Sequence, residues 1–202
     1  MTETTLATTG TIHPLWLRLT HWLNALAVLI MVTSGLRIYN ASPLFDFRFA
    51  EHLTLGGWLA GALWWHFAAM WLLVANGLLY LLLNIFSGRL WHRFLPLTPR
   101  AFVNDLIAAV RGRLSHADPR RYNAVQRAAY LFVLLDILLL VLSGLVLWKS
   151  VQFPLLRELL GGYDAARYVH FLAMVALVAF VVVHLVMAAL VPRTVLTMIR
   201  GR

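Results

Sequence analysis

HFLAMVALVAFVVVH, residues 170–184, places thirteen apolar residues between two histidines. The run continues on both sides, over about Arg167–Val191, and a helix needs about 20 mostly apolar residues to cross a bilayer. Fourteen residues at about 100° each return to within about 40° of the starting direction and rise about 21 Å. His170 and His184 therefore share one face of a membrane helix, near opposite sides of the hydrocarbon. Polar groups at such depths are costly and mark function more often than packing.

Working outward, three more segments have spanning length: Leu15–Tyr39, Gly57–Phe86 and Ala124–Trp148. Of the 202 residues 61% are hydrophobic and 12% charged, against roughly 45–50% and 25% in soluble domains. The expected fold is an all-α four-helix transmembrane bundle, with the chain 1–202 forming one domain. The N-terminal MTETTLATTG lacks Lys and Arg, so no cleavable signal peptide is expected. Cysteine is absent, which excludes disulfides, thiolate iron–sulfur clusters and covalent CxxCH haem.

The net charge of +9 is unevenly placed. Arg89, Arg93, Arg100, Arg111, Arg113, Arg120 and Arg121 lie between the second and third spans, and Arg193, Arg200 and Arg202 follow the fourth. The opposite loops hold Arg37 and Arg48, then Lys149, Arg157 and Arg167. The positive-inside rule puts both termini and the long Arg-rich loop in the cytoplasm. The charge reads as topology and lipid contact, with no nucleic-acid partner. Within the long loop, PRAFVNDLIAAVRGRL spaces Phe102, Leu106, Ala109, Val110 and Arg113 helically, predicting an amphipathic helix on the cytoplasmic surface. A plain loop helix packed on the bundle fits the same spacing.

The two halves resemble each other. TSGLRIYN ends the first span and LSGLVLWK the third; LGGWLAGALWWHFAAM opens the second and LGGYDAARYVHFLAM the fourth. Aligned, Arg18 falls opposite Arg127, His66 opposite His170, His21 opposite Tyr130 and Tyr80 opposite His184. This predicts a parallel two-helix repeat.

Four of eight histidines lie inside spans, while His13, His52, His92 and His116 fall in loops. Counted from the cytoplasmic boundary of each span, His21 lies 7 residues from Pro14 and His184 lies 8 from Pro192. His66 lies 21 from Ser87 and His170 lies 22 from Pro192. The four form two depth-matched pairs, His21 with His184 and His66 with His170. Paired imidazoles within a bundle suit axial ligation of haem iron; zinc would want cysteine or carboxylate partners that are missing. Arg18 and Arg167 each precede a ligand candidate by three residues, placed to meet haem propionates or to snorkel. Gly35, fourteen residues after His21, would admit a porphyrin or simply pack helices. Asp136, inside the third span, reads better as a packing residue than as a proton relay.

HPLWLRLTHWLNALAVLIMVTSGLRIYN, the second-span histidine and the fourteen-spaced pair together resemble bacterial dihaem cytochrome b membrane subunits. That family includes the cytochrome b subunits of nickel–iron hydrogenases, formate dehydrogenase gamma subunits and bacterial cytochromes b five-sixty-one. The resemblance implies two b haems, ligated as His21–His184 and His66–His170. It also implies a quinone site near the cytoplasmic haem, at Asn123 and Gln126 of RRYNAVQRAAY; Val125 stands where the family has glycine. An N-cap role explains Asn123 equally well. The implied function is transmembrane electron transfer between a periplasmic redox partner and the quinone pool. A molybdopterin oxidoreductase is favoured as that partner over hydrogenase. One rival reading is a standalone superoxide:quinone oxidoreductase using Arg37, Arg48, Lys149, Arg157 and Arg167 as a cationic pocket. Another is a haem-free proton or solute carrier. A homo-oligomer stays open.

Overall fold

The computed structural model describes residues 13–88, 98–111 and 123–201. Four long helices dominate: α1 (Leu15–Ala41), α2 (Leu59–Phe86), α4 (Ala124–Lys149) and α6 (Tyr163–Leu190). Among the described residues there are also three shorter α-helices, α3 (Pro99–Val110), α5 (Pro154–Leu159) and α7 (Pro192–Arg200), and a 3-10 turn at Glu51–Leu53. All four long helices have the length and composition to cross a membrane. Their outer faces are apolar and open, with Leu29 61%, Trp64 75% and Leu135 65% exposed, as lipid-facing surfaces are. The chain is a multi-pass membrane protein.

Helix boundaries follow local chemistry. Pro14 precedes α1, and Pro154 and Pro192 open α5 and α7, where a missing N–H costs nothing. α4 starts on a reciprocal cap: the Asn123 side chain accepts from Gln126 N at 2.7 Å, and Gln126 Oε1 accepts from Asn123 N at 3.1 Å. α6 begins at Tyr163, four residues before the expected Arg167. The tight turn at Gly161 and Gly162 (φ 80° and 98°) sets that start, and Asp164 favours the helix N-terminus.

The helices pack as two hairpin pairs, α1 with α2 and α4 with α6, with no comparably extended backbone contact between pairs. Arg18 near the start of α1 reaches Ile199 near the end of α7, so the first and last described residues lie at one end of the bundle, here the terminal end. The opposite, loop end carries residues 42–58 and 150–162. There Arg167 bonds Ser42, joining the start of α6 to the end of α1.

Buried positions repeat between the pairs. Ala62, Ala69 and Leu73 of α2 recur 104 residues on as Ala166, Ala173 and Leu177 of α6. Ala27 and Ser34 of α1 recur 109 residues on as Asp136 and Ser143 of α4. Small residues let backbones approach where lipid offers no hydrophobic drive between helices. In α1–α2, Asn76 adds polar bonds, donating to Thr20 O and to Asn24 Oδ1, both at 2.7 Å.

α3 sits at the terminal end, where Asp105 Oδ2 accepts from Ala124 N at 2.6 Å. Phe102 turns toward the protein, whereas Val103, Leu106 and Ile107 form an exposed apolar strip. Of the face expected from sequence, Phe102 is half-buried and Leu106 exposed, and Asp105 ties the helix to α4. Arg113 lies outside the described residues, as do Arg89, Arg93, Arg120, Arg121 and Arg202.

Candidate functional site

The gap between the two helix pairs is bridged by imidazoles at two levels. His21 of α1 faces His184 of α6 with ring centroids 6.0 Å apart and planes at 61°. His66 of α2 faces His170 of α6 with centroids 6.5 Å apart and planes at 63°. Fourteen residues separate the levels along α6, a rise of about 21 Å. The first pair lies toward the terminal end and the second toward the loop end. These are the partners that depth counting gives.

Were each pair to hold one metal through bonds of about 2.0–2.1 Å, its ring centroids would lie roughly 6 Å apart. Both observed separations sit beside that figure. Among the described residues no cluster of three or more His, Cys, Asp or Glu side chains could hold a metal ion. A pair of histidines alone would suit a metal already held by another molecule, such as the iron of a haem.

The two levels differ in their surroundings. At the loop-end level, His66 Nδ1 lies 3.1 Å from Ser34 Oγ, and His170 Nδ1 lies 2.9 Å from Ser143 Oγ. Each serine belongs to the helix paired with its histidine's helix. The following glycines complete the seat. A methyl built on Gly35 would lie 3.5 Å from His66 Cε1, and one on Gly144 would lie 3.3 Å from His170 Cε1. Gly35 therefore lies against the ligand candidate's ring, a closer role than the porphyrin clearance expected of it. At the terminal level the neighbours are aromatic: Trp22 stands edge-on to His21 at 5.4 Å, and Phe180 stacks on His184 at 6.0 Å.

Both arginines bond to main-chain carbonyls near helix C-termini, where cations are favoured. Arg18 Nη1 donates to Ile199 O at 2.6 Å, and Arg167 Nη2 donates to Ser42 O at 2.7 Å. Arg18 Nε is buried without a hydrogen-bond partner, an unmet donor three residues before His21. Asn123 and Gln126 spend their amide oxygens on the α4 cap. Asp136 is buried, with Oδ2 unpartnered, where the other half has Ala27.

The cations of the superoxide reading lie at or near the loop end. Arg37 ion-pairs with Glu51 at 3.2 Å and shares a cleft of about 440 Å³ with Arg48 and that carboxylate. Lys149 lies over the Trp148 ring, and Arg167 is bonded to Ser42.

Sequence reading missed Ser34, Ser143 and Gly144. Their signal was the SG dipeptide ending both TSGLRIYN and LSGLVLWK at equivalent positions, of which only Gly35 drew attention.

The chain matches known proteins over nearly its whole length. The family model "Prokaryotic cytochrome b561" matches residues 12–201. A protein of Azospira oryzae, "Putative protein-methionine-sulfoxide reductase subunit YedZ1", is 69% identical over 190 residues, covering 94% of this chain and 96% of that protein. No solved structure matches the chain.

Proposed function

Because the chain belongs to the prokaryotic cytochrome b561 family, whose members bind b haem, we propose that it holds two haems and carries electrons across the bacterial inner membrane. His21 and His184 ligate one haem on the cytoplasmic side; His66 and His170 ligate the other on the periplasmic side. The carrying observation is the two facing imidazole pairs, 6.0 and 6.5 Å between centroids, in the gap between the helix pairs. Bound there, b haem supplies one-electron chemistry that no side chain of this protein offers.

The remaining residues serve that chemistry. The small side chains along α1–α2 and α4–α6 keep each pair tight, so the ligands are offered from rigid helices. Arg18, with its unmet Nε donor, meets a propionate of the cytoplasmic haem, and Arg167 meets one of the periplasmic haem. The α4 cap consumes the amide oxygens of Asn123 and Gln126, leaving their NH₂ groups to donate to a quinone carbonyl. The arginine distribution supports cytoplasmic termini, and the exposed strip of α3 suits a position on the cytoplasmic membrane surface.

The relative is described as a "Putative protein-methionine-sulfoxide reductase subunit", so the proposed partner is a reductase of protein methionine sulfoxide. Its periplasmic location and the supply of electrons from the quinone pool are part of the same proposal. The molybdopterin oxidoreductase favoured from the sequence stays a proposal, since the relative's description names a substrate and no cofactor. The test is to add a quinol analogue to the purified haem-loaded chain, follow haem reduction optically, then add the reductase with a methionine-sulfoxide substrate. Reduction followed by substrate-dependent reoxidation is expected. Haem that the quinol leaves oxidised, or that the reductase and substrate leave reduced, would sink the assignment.

A further inference from the structure

We propose that Ser34 and Ser143 are positioning residues of the periplasmic site: they set the tautomer and the donor strength of His66 and His170. This rests on the reading of those histidines as haem ligands.

A serine hydroxyl has one proton and two acceptor lone pairs. Ser34 Oγ lies 2.6 Å from Ile30 O, and Ser143 Oγ lies 2.7 Å from Leu139 O. A carbonyl cannot donate, so each serine proton goes to that backbone oxygen. Toward the imidazoles the serine oxygens can then only accept. His66 Nδ1 and His170 Nδ1, at 3.1 and 2.9 Å from the serine oxygens and also facing the backbone acceptors of Met31 and Leu140, therefore carry the ring protons. That leaves the Nε2 lone pair of each ring for metal.

The Nδ1–Cε1 edge of each ring is also seated on the neighbouring helix, since Gly35 and Gly144 leave room there. The Ser-Gly seat occurs once in each half, 109 residues apart, and its histidines lie 104 apart. The axis relating the halves thus passes between His66 and His170, and both ligands of this site receive the same support. His21 and His184 match tyrosines in the other half. Among the described residues neither has a hydrogen-bond acceptor on its ring; their ring neighbours are Trp22 and Phe180.

An acceptor on the distal N–H makes an imidazole a stronger donor and fixes its orientation. Stronger donation favours ferric over ferrous iron, so the serines hold the periplasmic midpoint potential down. The serine hydroxyl bonds onward to a carbonyl, which strengthens its own acceptor character.

The test is potentiometric titration of the purified, haem-loaded, full-length protein, followed in the haem absorption bands. Wild type is compared with Ser34→Val/Ser143→Val and with Ser34→Thr/Ser143→Thr. Threonine and valine have nearly the same shape and differ in the hydroxyl. His66→Ala identifies which titrating component is periplasmic. The valine pair should raise that component's midpoint, leave the other in place, and be rescued by threonine. Loss of the periplasmic haem in the valine variant alone carries the same conclusion. Unmoved midpoints, equal movement of both haems, or haem loss in both variants would overturn the role of the hydroxyls. A wild-type protein with no component sensitive to His66→Ala would overturn the ligand reading itself, and the proposal with it.

Discussion

Arg18 and Ile199, 181 residues apart in the chain, are joined by a hydrogen bond of 2.6 Å from guanidinium to carbonyl. The bond ties the start of α1 to the last turn of α7, and Gly201 (φ 83°) closes that turn against the guanidinium. α7 is thereby fixed one turn from His21.

Arg18→Ala should therefore destabilise the terminal end by about 1–2 kcal/mol, the range for a charge-assisted hydrogen bond to a partly exposed group. It should loosen the cytoplasmic haem before the periplasmic one. Stepwise haem release during thermal melting in detergent checks this; simultaneous release of both haems at the wild-type temperature would contradict it.

The glycine seats give an ordered prediction. A methyl at Gly35 meets His66 Cε1 at ordinary contact distance, 3.5 Å, whereas one at Gly144 meets His170 Cε1 at 3.3 Å and forces the ring to shift. Gly35→Ala should keep both haems at wild-type stability. Gly144→Ala should cost roughly 1 kcal/mol through overpacking and alter the periplasmic haem spectrum. A reversed order in haem retention would contradict the seat described for His170.

Asn76 joins α2 to α1 through two 2.7 Å bonds in a low-dielectric setting. Asn76→Leu should lower stability by about 1–2 kcal/mol, since it leaves the Asn24 amide oxygen without its donor. Helix loss on heating, followed by circular dichroism, measures it. An unchanged melting temperature would show that lipid or water replaces the bond.

Asp136 has an unpartnered buried oxygen where the other half carries Ala27. Asp136→Ala should be tolerated, with stability unchanged or raised by about 1 kcal/mol, because a buried polar group without a partner is removed. Quinol-driven haem reduction should continue at the wild-type rate. A large fall in that rate with stability intact would assign Asp136 to proton transfer instead.

The parts legible in sequence were those set by one-dimensional patterns. Apolar runs gave the four spans, and counting residues from Pro14, Ser87 and Pro192 gave the facing of His21 with His184 and of His66 with His170. The start of α6 was less legible, because Asp164 and Arg167 read as the edge of the apolar run while the Gly161–Gly162 turn sets the helix earlier. The serine contacts were hidden, since Ser34 meets His66 only through the packing of α1 on α2. Arg18 was expected to meet a propionate or to snorkel. Its bond to Ile199 depends on α7 folding back at Pro192, which no spacing within α1 reveals.

The central claim is that two histidine pairs hold two haems. A pyridine haemochrome count on the purified wild type, His66→Ala and His184→Ala tests it most directly. Two b haems per chain in the wild type and one in each variant, with different spectral components lost, is the predicted result. A single haem in the wild type, or loss of the same component in both variants, would contradict the pairing.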